Sequence, residues 1–374
     1  MKKISIFIPS FERGGVENNV ILYSSILVEA GYCVDVVYNR ADAQNFSKLG
    51  NKVNKVKLGW SIKIPHMHPR INDLLNMLIG CFLYLFKYRT NILIISFQGN
   101  IMPIAFCKLL GIKIIVRIAS HPSIVNNEKG VVAKLSNKLK NIFYKYATVV
   151  IANSEVAARQ IAIDAKVAVR TVYNPAFSQD IIAKSREPLL DEKFFSLKGK
   201  KIISVGRLVD IKDFQMLIKA FFIIQKKIEA SLIVVGDGDK RKELEVLTEN
   251  LNIKDKVYFV GFKKNPHNYV ANSDLFVLSS KNEGLPNSLI EAIAVGVPVV
   301  STNCLSGPSE ILLDGKGGDL VEVGNVKQMA NAIITNLKNI EYATKKHRIA
   351  YSNLNRFSYR IVKDQILKIV EKYV

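Results

Sequence analysis

Short apolar runs that stop at a glycine or a small polar residue recur through the second half of this chain. They read KIISVG (201–206), ASLIVVG (230–236), KVYFVG (256–261), LFVLSS (275–280), VPVVST (297–302) and a short DLVEV (319–323). Runs of this length bounded by turn residues predict strands buried on both faces, and the stretches between them carry helical spacing. The first half repeats the scheme, with strands expected at 3–9, 33–38, 91–96, 112–119 and 147–152. A helix is expected to start at GGVENN, with Val16, Val20, Ile21, Leu27 and Val28 inward and Gly31 as its C-terminal cap. Such alternation predicts an α/β chain with two Rossmann-like, doubly wound parallel sheets covered by helices. Facing strand ends would make a cleft for a ligand.

Domain limits are expected where the alternation fails. Around 174–201, NPAFSQDIIAKSREPLLDEKFFSLKGKK, periodicity weakens and Pro175 and Pro188 interrupt it. The expected division is an N-terminal domain at 1–175, a linker at 176–199 and a second domain at 200–340. Charged helices at 341–374 would close the chain and can cross back to the first domain. With 374 residues, 49% of them hydrophobic, the chain can bury two cores.

Cys33, Cys81, Cys107 and Cys304 show no C-x-x-C spacing, so reduced thiols are expected. His66 and His68 stand one residue apart with no third ligand near them, and no metal site is expected. The N-terminal MKKISIFIPS reads as a strand rather than a signal peptide. LLNMLIGCFLYLF (74–86) falls well short of the roughly 20 residues that span a bilayer.

The basic excess is uneven. Residues 1–185 hold 24 Lys plus Arg against 10 Asp plus Glu, and the remaining 189 hold 29 against 22. From Ala43 to Asn72 there are six basic residues, no acidic ones and the only tryptophan, Trp60. From Lys129 to Ser154 there are five lysines and no acid, with Val131, Leu135, Leu139, Ile142 and Tyr146 at helical spacing. A basic amphipathic helix beside a Trp-bearing basic loop points to an anionic membrane surface. The bland alternative is a solvated lysine face over a core stripe. Nucleic acid is disfavoured as a partner, because no binding motif accompanies the charge and no aromatics interleave it.

Chemistry gathers at the strand ends of the second half, where ligands bind in such sheets. SVGRLVDIKD supplies Gly206, Arg207 and Lys212, the two cations five apart and able to converge on one polyanion. Two ordinary solvated cations are the alternative. GDGD (236–239) offers a G-x-G only, with neither G-x-G-x-x-G nor a Walker lysine, so a nicotinamide or P-loop reading is poorly supported. In NEGLPNSLIEA, Pro286 suits a first helical turn, so a helix is expected from near Leu285 towards Val295. Asn287 and Ser288 follow with free amides, a ready site for phosphate oxygens. Glu283 would precede the helix and Glu291 lie about two turns inside it, so the pair should not flank one bond as a glycosidase dyad does.

EGLPNSLIEAIAVGVPVV resembles the signature of the retaining glycosyltransferases of family 4, with their GT-B fold. The resemblance runs from IPSFERGGVE through VGRL…KD, VVGDGD and FVGF to SGPSEIL, nearly the whole chain. It implies that Arg207 and Lys212 bind the nucleotide diphosphate and neutralise it as it leaves, in place of a metal. It implies Glu283 beside the donor sugar, with the amides of Gly284, Leu285 and Asn287 near phosphates and sugar. Glu291 would hold the ribose hydroxyls and the Phe262 segment face the base, while Gly14 and Gly15 would pass close to diphosphate and acceptor. His121, in VRIASHP, is similar in position to a family histidine near the reacting centre; a satisfied loop histidine is the alternative.

The implied activity is metal- and cofactor-independent transfer of a hexose or N-acetylhexosamine from a nucleotide sugar, UDP-linked, to a hydroxyl of a polyprenyl-diphosphate-linked oligosaccharide. Such a reaction belongs to O-antigen or capsule assembly at the inner face of the cytoplasmic membrane. Rival readings are another sugar-phosphate enzyme of the same fold and a non-catalytic module that binds nucleotide sugars.

Overall fold

The computed structural model describes residues 3–11, 15–41, 46, 48–58, 69–97, 100–119 and 131–374. They form two compact units, residues 1–172 with 363–374 and residues 173–362.

The first unit is built on seven parallel strands: β1 (Lys3–Phe11), β2 (Cys33–Ala41), β3 (Val53–Lys57), β4 (Ile92–Phe97), β5 (Lys113–Ile118), β6 (Val149–Ala152) and β7 (Val169–Thr171). Their order is β3-β2-β1-β4-β5-β6-β7, with the switch point between β1 and β4. The helices are α1 (Gly15–Glu29), α2 (Pro69–Tyr88), α3 (Ile101–Leu110), α4 (Val131–Tyr144) and α5 (Glu155–Ala165). The five expected strands are present, and β3 and β7 are additional. β3, VNKVK, lies at the sheet edge with only Val53 buried, so its lysines look outward and its run reads as a basic loop. Trp60, His66 and His68 lie outside the described residues.

Two charged side chains are locked inside this unit. Asp35 accepts from Lys3 Nζ at 3.0 Å, Tyr84 OH at 2.5 Å and Asn54 Nδ2 at 3.0 Å. Arg117, fully buried, donates from Nη1 to Tyr23 OH at 2.5 Å and to the Val172 carbonyl at 3.1 Å. Residues 363–374 end the last helix and pack with this unit, Lys363 pairing with Glu29 at 2.7 Å.

The second unit has six parallel strands: β8 (Lys200–Val205), β9 (Ala230–Val235), β10 (Val257–Gly261), β11 (Leu275–Leu278), β12 (Val299–Thr302) and β13 (Asp319–Val321). The order β10-β9-β8-β11-β12-β13 puts a switch point between β8 and β11. Each expected run forms a strand, because β9, β11 and β12 are buried along their whole length. Residues 176–199 contain two short helices, α6 (Gln179–Ser185) and α7 (Glu192–Ser196), capped by Ser178 and Asp191. The remaining helices are α8 (Phe214–Ile224), α9 (Arg241–Asn250), α10 (His267–Ala271), α11 (Asn287–Ala294), α12 (Pro308–Ile311), α13 (Val326–Lys338), α14 (Ile340–Ser352) and α15 (Tyr359–Glu371).

Candidate active site

The β8/β11 switch point brings together residues that the sequence separates. The loop after β8 turns through a 3₁₀ segment, Asp210–Lys212, and ends at Asp213, whose φ of +46° is left-handed. Asp213 then caps α8 by accepting from the Met216 amide at 3.2 Å. That turn aims Lys212 Nζ at Glu283 Oε1, 2.5 Å away in the loop after β11. Ser280 Oγ donates to the same oxygen at 2.7 Å. The Glu283 side chain is 11% exposed and that of Lys212 24%, so the pair lies in a partly dry environment where charge interacts strongly. Arg207 is exposed on the same loop.

Backbone crowding fixes how these loops meet. Gly206 N–H donates to the Val235 carbonyl at 3.0 Å, and Gly236 N–H to the Gly261 carbonyl at 2.9 Å. A Cβ at Gly236, where φ is +141°, would lie 1.9 Å from the Gly206 oxygen, and one at Gly238 would lie 2.5 Å from the Leu208 oxygen. The glycines of GDGD are therefore spacers that let the β8 and β9 loops touch. At Gly206 itself a Cβ meets nothing closer than 3.8 Å.

The turn between the two glutamates differs from expectation in its boundary. α11 begins at Asn287, not near Leu285, and ends at Ala294. Pro286 has an extended ψ of 102° and stands outside the helix as its N-cap, with no side-chain capping bond. Glu291 is accordingly one turn inside α11, not two. The first amides of a helix have no intrahelical partner, so those of Asn287 and Ser288 are available to an anion. Gly284 is held from behind: Ser306 Oγ donates to its carbonyl at 2.8 Å. Gly307, at φ +84°, has no room for a Cβ, which would sit 2.6 Å from Pro286 Cδ. Leu285 is buried, so only its backbone can serve a ligand. Asn287 Oδ1 accepts from Asn174 Nδ2 at 3.2 Å.

Glu291 sits in a second group. Its Oε2 lies 3.9 Å from His267 Nδ1 on α10, and its side chain is 26% exposed. Burial pushes its carboxyl up to about 7, against the pull of the Lys184 charge on α6. His267 is lowered by burial and then by Lys184, so it is neutral near pH 7. Asn265 ties the group together, donating to the Lys184 carbonyl at 2.9 Å and to Glu187 Oε2 at 2.7 Å. Phe262 follows Gly261 and is 76% exposed, an apolar ring left open at the end of β10.

Gly15 is the first residue of α1 in the first unit. Gly14 and His121 lie outside the described residues. Sequence reading missed Ser280, His267 and Lys184. Their partners are 3, 24 and 107 positions distant, and only for Ser280 is there a local signal, the small polar residues closing LFVLSS.

The chain compares with known proteins as follows. Residues 185–353, most of the second unit, match the family described as "Glycosyl transferases group 1". Over 205 residues the chain is 34% identical to an uncharacterized glycosyltransferase of Methanocaldococcus jannaschii, covering 54% of this chain and 50% of the relative. Over 244 residues it is 30% identical to the N-acetylgalactosamine-N,N'-diacetylbacillosaminyl-diphospho-undecaprenol 4-alpha-N-acetylgalactosaminyltransferase of Campylobacter jejuni, covering 64% of this chain and 63% of that protein. The chain thus spans about half of the first relative's length and under two thirds of the second's. Among solved structures, Anabaena Alr3699/HepE in complex with UDP superposes with a TM-score of 0.78 over 100% of both chains, at 20% identity. The fold is GT-B.

Proposed function

We propose that this protein is a retaining glycosyltransferase of family 4 that moves a hexose or N-acetylhexosamine from a UDP-sugar to a hydroxyl of a polyprenyl-diphosphate-linked oligosaccharide. The observation that carries this reading is the Lys212–Glu283 pair, held at the β8/β11 switch point beside the N-terminus of α11. A cation, a helix N-terminus and a carboxylate within one loop cluster suit a substrate with a diphosphate at one end and sugar hydroxyls at the other.

In the reaction the bond between the anomeric carbon and the diphosphate oxygen breaks, and its electron pair goes to that oxygen. Arg207, Lys212 and the amides of Asn287 and Ser288 stabilise the charge that develops there, fixed in place before the reaction begins. Those cations take the part of a metal. The acceptor hydroxyl attacks from the face the diphosphate leaves, and its proton passes to a phosphate oxygen. Glu283 holds the donor sugar, Glu291 the ribose hydroxyls, and Phe262 the base.

The similarity to a transferase whose name specifies a diphospho-undecaprenol substrate, and to a fold solved with UDP, supports this choice of substrates. Surface polysaccharide assembly, as O-antigen or capsule, is the setting, with the protein held at the inner face of the cytoplasmic membrane. Among the described residues no helix is long and apolar enough to cross a membrane.

A panel of nucleotide sugars read by thermal shift tests donor choice. UDP-sugars are expected to raise the melting temperature and ADP- or GDP-sugars to leave it unchanged; a shift with the latter alone would overturn the UDP assignment.

The Glu291 environment makes donor binding depend on pH. The carboxylate accepts from ribose hydroxyls best when ionised, and its ordinary value of 4.5 is raised to about 7. Below pH 7 binding must first remove that proton, so affinity for a UDP-sugar should rise as pH increases from 6 to 8. A UDP-sugar is the proper probe, since its diphosphate diester does not titrate in this window. Calorimetric titration of Glu291→Gln should show weaker binding, by about tenfold, with the pH slope lost. A slope that persists in Glu291→Gln would assign the titration to another group.

A further inference from the structure

The outer surface of the first unit carries apolar side chains where a surface helix normally shows polar ones. Helices α2, α3 and α4 each lead to a strand further along the same direction of the sheet, so right-handed crossovers set them on one face. One core cluster holds their inner sides, with Cys81 and Leu85 of α2, Ile104 and Cys107 of α3, and Tyr144 of α4. α3 contacts both of its neighbours. Phe82 of α2 meets Phe106 of α3 edge-on at 5.4 Å, and Lys108 of α3 reaches over the Tyr146 ring just after α4.

Outward, α2 exposes Ile79, Leu83 and Phe86, and α4 exposes Leu135, Leu139 and Ile142. Both sets are spaced i, i+4, i+7, which makes one narrow stripe along each helix. Leu109 of α3, 72% exposed, stands on the helix between them. On α4 the usual order is inverted, for Leu135 is 56% exposed while Ser136, Asn137 and Lys140 are half-buried. The stripe expected as a possible core seam is therefore on the outside.

Charge says what covers it. Lys87, Arg89, Lys108, Lys138 and Lys145 are exposed on or beside the three helices, and Asp73 is the single acid in their sequences. We propose that this three-helix face seats on an anionic lipid bilayer. The two apolar stripes enter the boundary between headgroups and acyl chains, and the surrounding cations meet lipid phosphates. The proposal rests on the lipid-linked acceptor reading for its purpose, and adds to it the surface used and an apolar mode of attachment. A surface held by charge alone would release in salt, whereas inserted leucines keep part of their hold.

Flotation with vesicles of equal phosphatidylglycerol and phosphatidylcholine tests this. The protein is expected to float with these vesicles, to float less with phosphatidylcholine alone, and to stay partly bound in 0.5 M salt, where the Debye length has shrunk to about 4 Å. The triple variant Leu135→Ala/Leu139→Ala/Ile142→Ala, at exposed positions that leave the core intact, should lose about tenfold or more in partitioning even at low salt. Lys138→Gln/Lys145→Gln should reduce the preference for the anionic lipid. A wild-type protein that stays in solution with the anionic vesicles, or a triple variant that floats as well as wild type, overturns the proposal. So does a dimer in light scattering that the same three substitutions dissociate, which would make the face a self-interface. Transfer to a short, water-soluble acceptor is measured on the same proteins: flotation without any transfer would remove the glycosyltransferase reading and leave the surface standing.

Discussion

Glu283→Gln is expected to lower kcat for sugar transfer on the order of 10²–10³-fold, with the melting temperature nearly unchanged. Glutamine keeps an oxygen that can accept from Lys212 and Ser280, whose bonds to Glu283 Oε1 are 2.5 and 2.7 Å, so the loop after β11 should hold its shape. What is lost is the charge that orients Lys212 and meets the donor sugar. Lys212→Ala should cost a similar factor for the complementary reason: it removes the cation and leaves a largely buried carboxylate without its counter-charge. Because the two side chains form one contact, their effects should not multiply. The double variant is expected to be no more than about tenfold slower than the worse single one, as for residues that act as a unit. Factors that multiply in full would show that the two act separately and that the ion pair is incidental.

Gly236→Ala should be the most damaging small substitution in the second unit. The residue has φ +141°, a region open only to glycine, and its Cβ would lie 1.9 Å from a backbone oxygen that has no flexible side chain to yield. Strain and overpacking together should cost on the order of 3 kcal/mol, about 10 °C in melting temperature. Gly31→Ala is the control, since φ is +84° there but nothing lies within 4 Å of the added carbon. It should cost about 1 kcal/mol, from backbone conformation alone. Equal losses at the two positions would mean that the contact between the β8 and β9 loops does not determine the fold of the site. Gly206→Ala, with its nearest neighbour at 3.8 Å, should fold normally.

The second sheet was legible because its strands are continuous apolar runs closed by Gly206, Gly236 and Gly261, of which Gly236 and Gly261 have a positive φ that favours glycine. β3 escaped because an edge strand buries little, and the exposed Asn54, Lys55 and Lys57 outweigh Val53 and Val56 in any reading of periodicity. The helix start slipped by two residues because Pro286 suits both N1 and the N-cap, and only its ψ separates the two. Within the site, the residue types were readable and their partnerships were not. Lys212 and Glu283 are 71 positions apart, and their contact depends on strand order, which places β8 beside β11. The α4 stripe illustrates the same limit, since spacing fixes that Leu135, Leu139 and Ile142 share one side of a helix but not whether that side faces core or solvent.

Transfer from radiolabelled nucleotide sugars to a polyprenyl-diphosphate-linked oligosaccharide, with EDTA present throughout, is the measurement that bears most directly on the proposed activity. The expected result is label in the lipid-linked fraction from a UDP-hexose or UDP-N-acetylhexosamine, undiminished by the chelator and slowed on the order of 10²–10³-fold by Glu283→Gln. Nucleotide that binds while no donor gives transfer to any acceptor would contradict the enzyme reading and leave a binding module in its place.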